Sequence, residues 1–191
     1  MKTKLNVGCG DEYFDDYINL DKGRCKCDVK WDVEETPWPF EDNSMELIFC
    51  KHLLEHIQKD KIIPFFEEIN RILKPGGYAE IFVPHYKSRI AFTDFTHISY
   101  FSEESLRYFQ KDDPINNLGK IYGINCNFDI EVSVYKEGYT NDFKDKIEYY
   151  RPDPLPEGHS PDLYISPELE RELKDSEYIN LSIYFKLKST K

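Results

Sequence analysis

Long apolar runs are missing from this sequence. The longest are a few residues, as in Leu47-Ile48-Phe49-Cys50, far short of the roughly 20 that cross a bilayer, so no membrane span is expected. No secretion leader is expected either. Met1-Lys2-Thr3-Lys4 runs straight into a strand-like segment with no extended apolar region or small-residue cleavage site, and a cytoplasmic location is expected. Positive charge is scarce, with 25 Lys and Arg against 36 Asp and Glu for a net charge of −11. No basic cluster offsets this, which argues against nucleic acid as a partner. The five cysteines, Cys9, Cys25, Cys27, Cys50 and Cys126, are odd in number and irregularly spaced, which fits reduced thiols rather than a disulfide framework. Cys25-Lys-Cys27 has no second ligand pair nearby, so no zinc site is expected there.

What is present suits one compact α/β domain spanning residues 1–191, with 40% hydrophobic residues to build its core. Short apolar runs at Lys4–Val7, Tyr17–Leu20, Cys27–Trp31, Met45–Cys50 and Tyr78–Pro84 read as strands of a mostly parallel sheet. Asp60 to Leu73 reads as an amphipathic helix, with Ile62, Phe66, Ile69 and Leu73 on one face, Asp60 as its cap and Lys74-Pro-Gly-Gly77 as its stop. A second helix is expected at Ser102–Gln110, and a short one at Pro167–Leu173 within a Pro-rich loop. Strict alternation at Ile130, Val132 and Val134, and again at Ile179 to Leu187, predicts antiparallel or edge strands with one wet face.

The chemistry is concentrated at strand ends. Leu5-Asn-Val-Gly-Cys-Gly10 carries a strand into a Gly-x-Gly turn, where backbone can approach a ligand in the crevice of an open α/β sheet. The second strand ends in Asp21, positioned as the partner of a ribose diol. The third ends in Trp31-Asp32-Val33, a polar and an apolar group suited to an adenine ring. A nicotinamide oxidoreductase fits less well. Gly10 is followed by Asp11-Glu12-Tyr13 rather than a third glycine, and those acids would repel a pyrophosphate.

These segments, with Pro37-Trp-Pro-Phe-Glu-Asp-Asn-Ser-Met-Glu-Leu-Ile48, His52-Leu-Leu-Glu-His56 and Glu68-Ile-Asn-Arg-Ile-Leu-Lys-Pro-Gly-Gly77, come in an order and spacing that resembles the class I S-adenosylmethionine-dependent methyltransferases, in particular the small type 11-like domains. The likeness covers about residues 4 to 84. It implies a Rossmann-like sheet, mostly parallel with an antiparallel C-terminal edge strand, and S-adenosylmethionine as cofactor. It further implies that Gly8, Cys9 and Gly10 face the methionine half and that Asp21 takes the ribose hydroxyls. Asp32 and Val33 would meet the adenine edge, and Cys50 and Lys51 would lie beside the methionine amino group and sulfonium. The sequence departs from the family in one respect. Only ten residues separate Gly10 from Asp21, too few for a helix rising about 1.5 Å per residue plus its two loops, so the first helix is shortened or missing.

The methyl acceptor is expected to be a small molecule, with the atom methylated, the pathway and the oligomeric state left open. Its cover should come from insertions at about 85–125 and 140–175. Within the first, His85, Asp94 and His97 are candidates for acceptor binding or proton removal; Asp94-Phe-Thr-His97 resembles the Asp-Pro-Thr-His segment of related small methyltransferases, with Phe95 in place of the proline. Two alternatives accompany this reading. One is a methyltransferase-like protein that binds the cofactor without turnover. The other is a zinc hydrolase built on the H-x-x-E-H spacing of His52, Glu55 and His56. That chemistry requires a third ligand on a later element, and a helix directly after the fourth strand explains the same letters through packing; no metal is expected.

Overall fold

The computed structural model describes residues 2–136 and 181–191. The 140–175 insertion and the helix expected at Pro167–Leu173 lie outside the described residues. Seven strands form one sheet: β1 (Lys4–Val7), β2 (Ile18–Asp21), β3 (Val29–Lys30), β4 (Met45–Lys51), β5 (Leu73–Pro84), β6 (Phe128–Lys136) and β7 (Leu181–Ser189). Their spatial order is β3-β2-β1-β4-β5-β7-β6. The first five are parallel, with β1 flanked by β2 and β4, and β7 runs antiparallel to both β5 and β6. The expected mixed sheet is therefore present, with one refinement. β7 lies between two strands and β6 is the edge on that side; along β7, Leu181, Ile183, Phe185 and Leu187 are fully buried while Tyr184 and Lys186 are half-buried and Lys188 is exposed, so the alternation separates a core face from a partly wet one.

The two sheet faces are covered differently. Ile48 and Cys50 of β4, Ile81 and Val83 of β5, and Ile183 and Phe185 of β7 join one core that includes helix α1 (Ile62–Ile72). Phe65 and Phe66 of α1 pack edge-on against Trp38 and Phe128. The side chains between them on each strand point the other way. There Phe14, Phe49, Phe82 and Tyr184 form a row with ring centroids 5.5, 5.4 and 4.9 Å apart. Aromatic contacts across neighbouring strands thus do on this face part of what a helix would otherwise do.

Helix boundaries differ from those expected where the side chains at the ends do not cap. Asp60 sits in a 3-10 turn at Lys59–Lys61, and α1 starts after Lys61 with no side-chain cap. The expected helix at Ser102–Gln110 is a run of turns closed by one 3-10 turn, Arg107–Phe109. Here the Ser105 hydroxyl accepts from the Ser102 amide and favours a turn over a continuing helix. Beyond α2 (Ile90–Thr93) lies α3 (Pro114–Ile121), capped by Asp113 with proline in its first turn.

No helix joins β1 to β2, and a buried asparagine explains how the loop holds without one. Asn19 on β2 accepts from the Asn6 amide at 3.1 Å and the Phe14 N–H at 3.0 Å, and donates to the Phe14 carbonyl at 2.9 Å. Asp28 accepts from the Asn19 N–H at 2.8 Å and from the Tyr13 hydroxyl at 2.7 Å. This network satisfies the backbone groups that a helix would have paired internally.

Candidate functional site

The C-terminal ends of β1, β2 and β4 meet at one crevice. Gly8 and Gly10 both have positive φ, +66° and +48°, as a tight strand-to-loop turn requires. A side chain on Gly8 would collide with Leu53, its Cβ falling 2.7 Å from a Leu53 methyl, whereas Gly10 borders open space. Asp21 reaches back to this turn. One carboxylate oxygen accepts from the Gly10 N–H at 2.9 Å and the other from the Gly23 N–H, which leaves lone pairs on both for a diol. Asp32, at the end of β3, pairs with Lys22 at 3.0 Å and accepts from the Glu34 amide at 3.1 Å. Val33 beside it is buried.

Two residues expected in this crevice are differently disposed. The Cys50 side chain is wholly buried in the core, where burial and then the nearby Glu55 carboxylate raise its thiol pKa, so only its backbone can reach the crevice. Lys51 lies at the rim and pairs with Glu12 of the glycine loop at 2.7 Å. Cys9 is also buried, and burial with Cys25 and Asp21 close by pushes its thiol up to about 12. It stays protonated and wall-forming rather than nucleophilic.

A second concavity of about 820 Å³ opens beyond β4 and β5, lined among others by His52, Glu55, His56, Pro84, Asp94 and His97. It adjoins the crevice through the chain itself, since Leu53, which packs on Gly8, follows His52. His52 closes β4 in the left-handed region at φ +50°, an uncommon conformation for a residue with a Cβ, and its N–H is tied to the Phe82 carbonyl at 2.9 Å. A 3-10 turn at Leu54–His56 follows, in place of the helix expected directly after the fourth strand.

Of the three acceptor-side candidates, the structure brings Asp94 and His97 to this cavity and places His85 elsewhere. His85 is buried, its Nε2 3.2 Å from Glu103 and its Nδ1 accepting from the Lys87 amide at 3.1 Å. The His85 contact holds the Glu103 carboxyl below its ordinary pKa. Asp94 accepts from the backbone and hydroxyl of Thr96 at 2.8 and 2.7 Å, which lowers its pKa. His97 Nδ1 is 2.9 Å from the Ala91 carbonyl. Glu55 is the cavity residue that the acceptor-site reading missed. Its signal was already in the His52-Leu-Leu-Glu-His56 spacing.

Strand order, glycine turn and acidic β2 terminus together form the Rossmann-like sheet of the class I methyltransferase fold. The family model described as a methyltransferase domain, of type 11, matches residues 12–81, and the cofactor of such domains is S-adenosylmethionine. Solved structures similar to the chain include a SAM-dependent methyltransferase from Archaeoglobus fulgidus (14% identity, 97% of this chain and 85% of that one, TM-score 0.57). Another, from Thermotoga maritima, is described as a possible histamine N-methyltransferase (13% identity, 98% and 81%, TM-score 0.53). A third comes from Methanosarcina mazei (12% identity, 97% and 91%, TM-score 0.53). At these identities the likeness is one of fold. No curated protein matches the sequence. Among the described residues no helix is long and apolar enough to cross a membrane.

Proposed function

We propose that residues 1–191 form a single catalytic domain that transfers a methyl group from S-adenosylmethionine to a small-molecule acceptor held in the cavity beyond β4 and β5. The observation that carries this is the adjacency of that cavity to the glycine turn. Its volume of about 820 Å³ is of the size that encloses a small ligand, and Leu53, which packs against Gly8, directly follows His52 of its lining.

The crevice residues fit the cofactor. Gly10 offers bare backbone and open space for the amino-acid tail, Asp21 has lone pairs to spare for the ribose hydroxyls, and Asp32 with Val33 presents a polar edge beside an apolar wall for the adenine. When bound, S-adenosylmethionine supplies a methyl carbon already activated by positive sulfur. The protein's contribution is then chiefly placement, which is worth up to about 7–11 kcal/mol of barrier when the reacting atoms are held in line. Lys51, clamped to Glu12, fixes the glycine loop against β4, and the cavity wall orients the acceptor. Asp94 and His97 are the groups placed to hold or take a proton from it, whereas His85 supports the loop after β5.

Labelled methyl transfer to fractionated small metabolites tests this reading. Transfer to one fraction is expected, whereas S-adenosylmethionine binding without transfer to any acceptor would refute turnover. A calorimetric comparison of S-adenosylmethionine, its demethylated product and NAD checks the crevice. Ligand at a hundred times its Kd should stabilise the fold by about 2.7 kcal/mol, and stabilisation by NAD alone would refute the assignment.

A further inference from the structure

Glu55 presents an unusual chemical situation. Its side chain is only 1% exposed, one oxygen lies 3.2 Å from His52 Nδ1, and the other, Oε2, has no hydrogen-bond partner among the described residues. A carboxylate buried this deeply is costly unless a cation or donors complete its shell.

Beyond the His52 contact, the two imidazoles facing it offer lone pairs rather than donors. His97 Nδ1 lies 2.9 Å from the Ala91 carbonyl, which can only accept, so that nitrogen carries the proton and Nε2 carries the lone pair. Nε2 is the atom that faces Glu55 Oε1, at 4.0 Å. His56 is set in the same way at one remove. The Thr96 hydroxyl donates to Asp94 Oδ1 at 2.7 Å, so its oxygen accepts from His56 Nδ1 at 3.0 Å, and the His56 lone pair is again on Nε2. The two imidazoles pack edge to face with centroids 4.7 Å apart, and one donor atom from each of Glu55, His56 and His97 lies within 4.8 Å of the other two.

Two imidazoles, each fixed by an Nδ1–H to an outer acceptor, together with one buried carboxylate, form a donor set suited to a metal ion. We propose that Glu55, His56 and His97 bind a divalent first-row transition-metal ion at the wall of the acceptor cavity. The third ligand that H-x-x-E-H lacks in sequence is supplied by His97, from the loop after α2. In this arrangement Glu55 is a ligand, and Thr96 with Asp94 acts as a positioning pair behind His56. Ligands at about 2.0–2.2 Å from a common ion stand roughly 3.4 Å apart, so His97 and Glu55 need to close by about half an ångström. Carboxylate and imidazole donors without thiolate suit zinc, cobalt or manganese rather than a soft ion. Three protein ligands leave the remaining positions to the cavity. Resting on the transfer reading above, those positions are where an oxygen of the acceptor would bind.

The test is a titration of chelator-treated full-length protein with Co²⁺, followed by its ligand-field absorption, and with Zn²⁺ followed by calorimetry. One ion per chain is expected. Glu55→Gln and His97→Ala should abolish uptake. Thr96→Val, an exposed change that keeps every ligand, should weaken affinity about 10- to 100-fold by releasing the His56 ring. Absence of stoichiometric uptake by the wild type would overturn the proposal, as expected if a doubly protonated His97 neutralised Glu55 instead. Uptake undiminished in both Glu55→Gln and Thr96→Val would overturn it equally. S-adenosylhomocysteine affinity measured on the same samples reports the crevice alone. Metal uptake without it would refute the transfer reading and leave the metal site standing.

Discussion

Replacing Asp21 by asparagine isolates the group that the crevice depends on most. Each Asp21 oxygen already accepts one backbone N–H, from Gly10 and from Gly23, and each keeps capacity for one ribose hydroxyl. Asparagine keeps a single acceptor oxygen, removes the charge, and turns an NH2 toward one of two amides that also donate. One charge-assisted bond to the ligand is lost, about 1.5–3 kcal/mol, which is about a tenfold to hundredfold rise in Kd. The fold itself should lose about 1–3 kcal/mol through the amide left without an acceptor. Calorimetry with S-adenosylmethionine and S-adenosylhomocysteine reads the first quantity and a denaturant midpoint reads the second. Both ligands should weaken by the same factor, because they share the ribose. Affinities within twofold of the wild type, in a variant that has lost the stated stability, would refute the placement of the ribose on Asp21.

Other expectations follow from the same structure. Gly8→Ala must hold a Cβ at φ +66° and 2.7 Å from Leu53, and should cost about 2–4 kcal/mol in a denaturation midpoint. Arg71 donates to both oxygens of the largely buried Glu68 at 2.8 and 2.7 Å and to the Trp38 carbonyl at 3.1 Å. Arg71→Met leaves that carboxylate unpaired and should cost about 3 kcal/mol, with a stability equal to wild type counting against the network. The Asn19 N–H, then its amide, then the Tyr13 hydroxyl hold the Asp28 carboxyl down to about 2 from its ordinary 3.8. Its folded pKa is depressed, so its contribution is complete above pH 4 or so and is lost as pH falls toward 2. Asp28→Asn should therefore be less stable at neutral pH yet flatter across that acid window, and parallel acid-unfolding curves for the two proteins would contradict it.

How far the sequence reveals this molecule depends on the range of the interactions. The five parallel strands and α1 follow local period and can be read directly, because burial on one face writes itself into spacing of two or three to four residues. The absent first helix follows from chain length between Gly10 and Asp21. What replaces it does not, since Asn19 works through partners in three separate segments. Ser102–Gln110 carries helix-like letters, yet Ser105 turns back onto the Ser102 amide. Cys50 sits at the strand exit where a ligand is expected, but the parity of β4 sends its side chain into the core. His97 stands some forty residues beyond the adjacent Glu55 and His56, and only the fold brings it to them.

The loop that stands in for the first helix has an electrical consequence. A helix starting at the glycine turn would aim roughly half a positive charge at whatever lay there. This chain has no such pole. Its loop instead carries exposed Asp11, Glu12, Asp15 and Asp16, of which Glu12 pairs with Lys51 and Asp16 with Lys4, so Asp11 and Asp15 are the acids that give the mouth its excess negative charge. A sulfonium ligand loses its positive charge when its methyl leaves, and such a mouth should grip the reactant more firmly than the spent thioether. Product would then leave readily, with a preference that fades as added salt screens the acids.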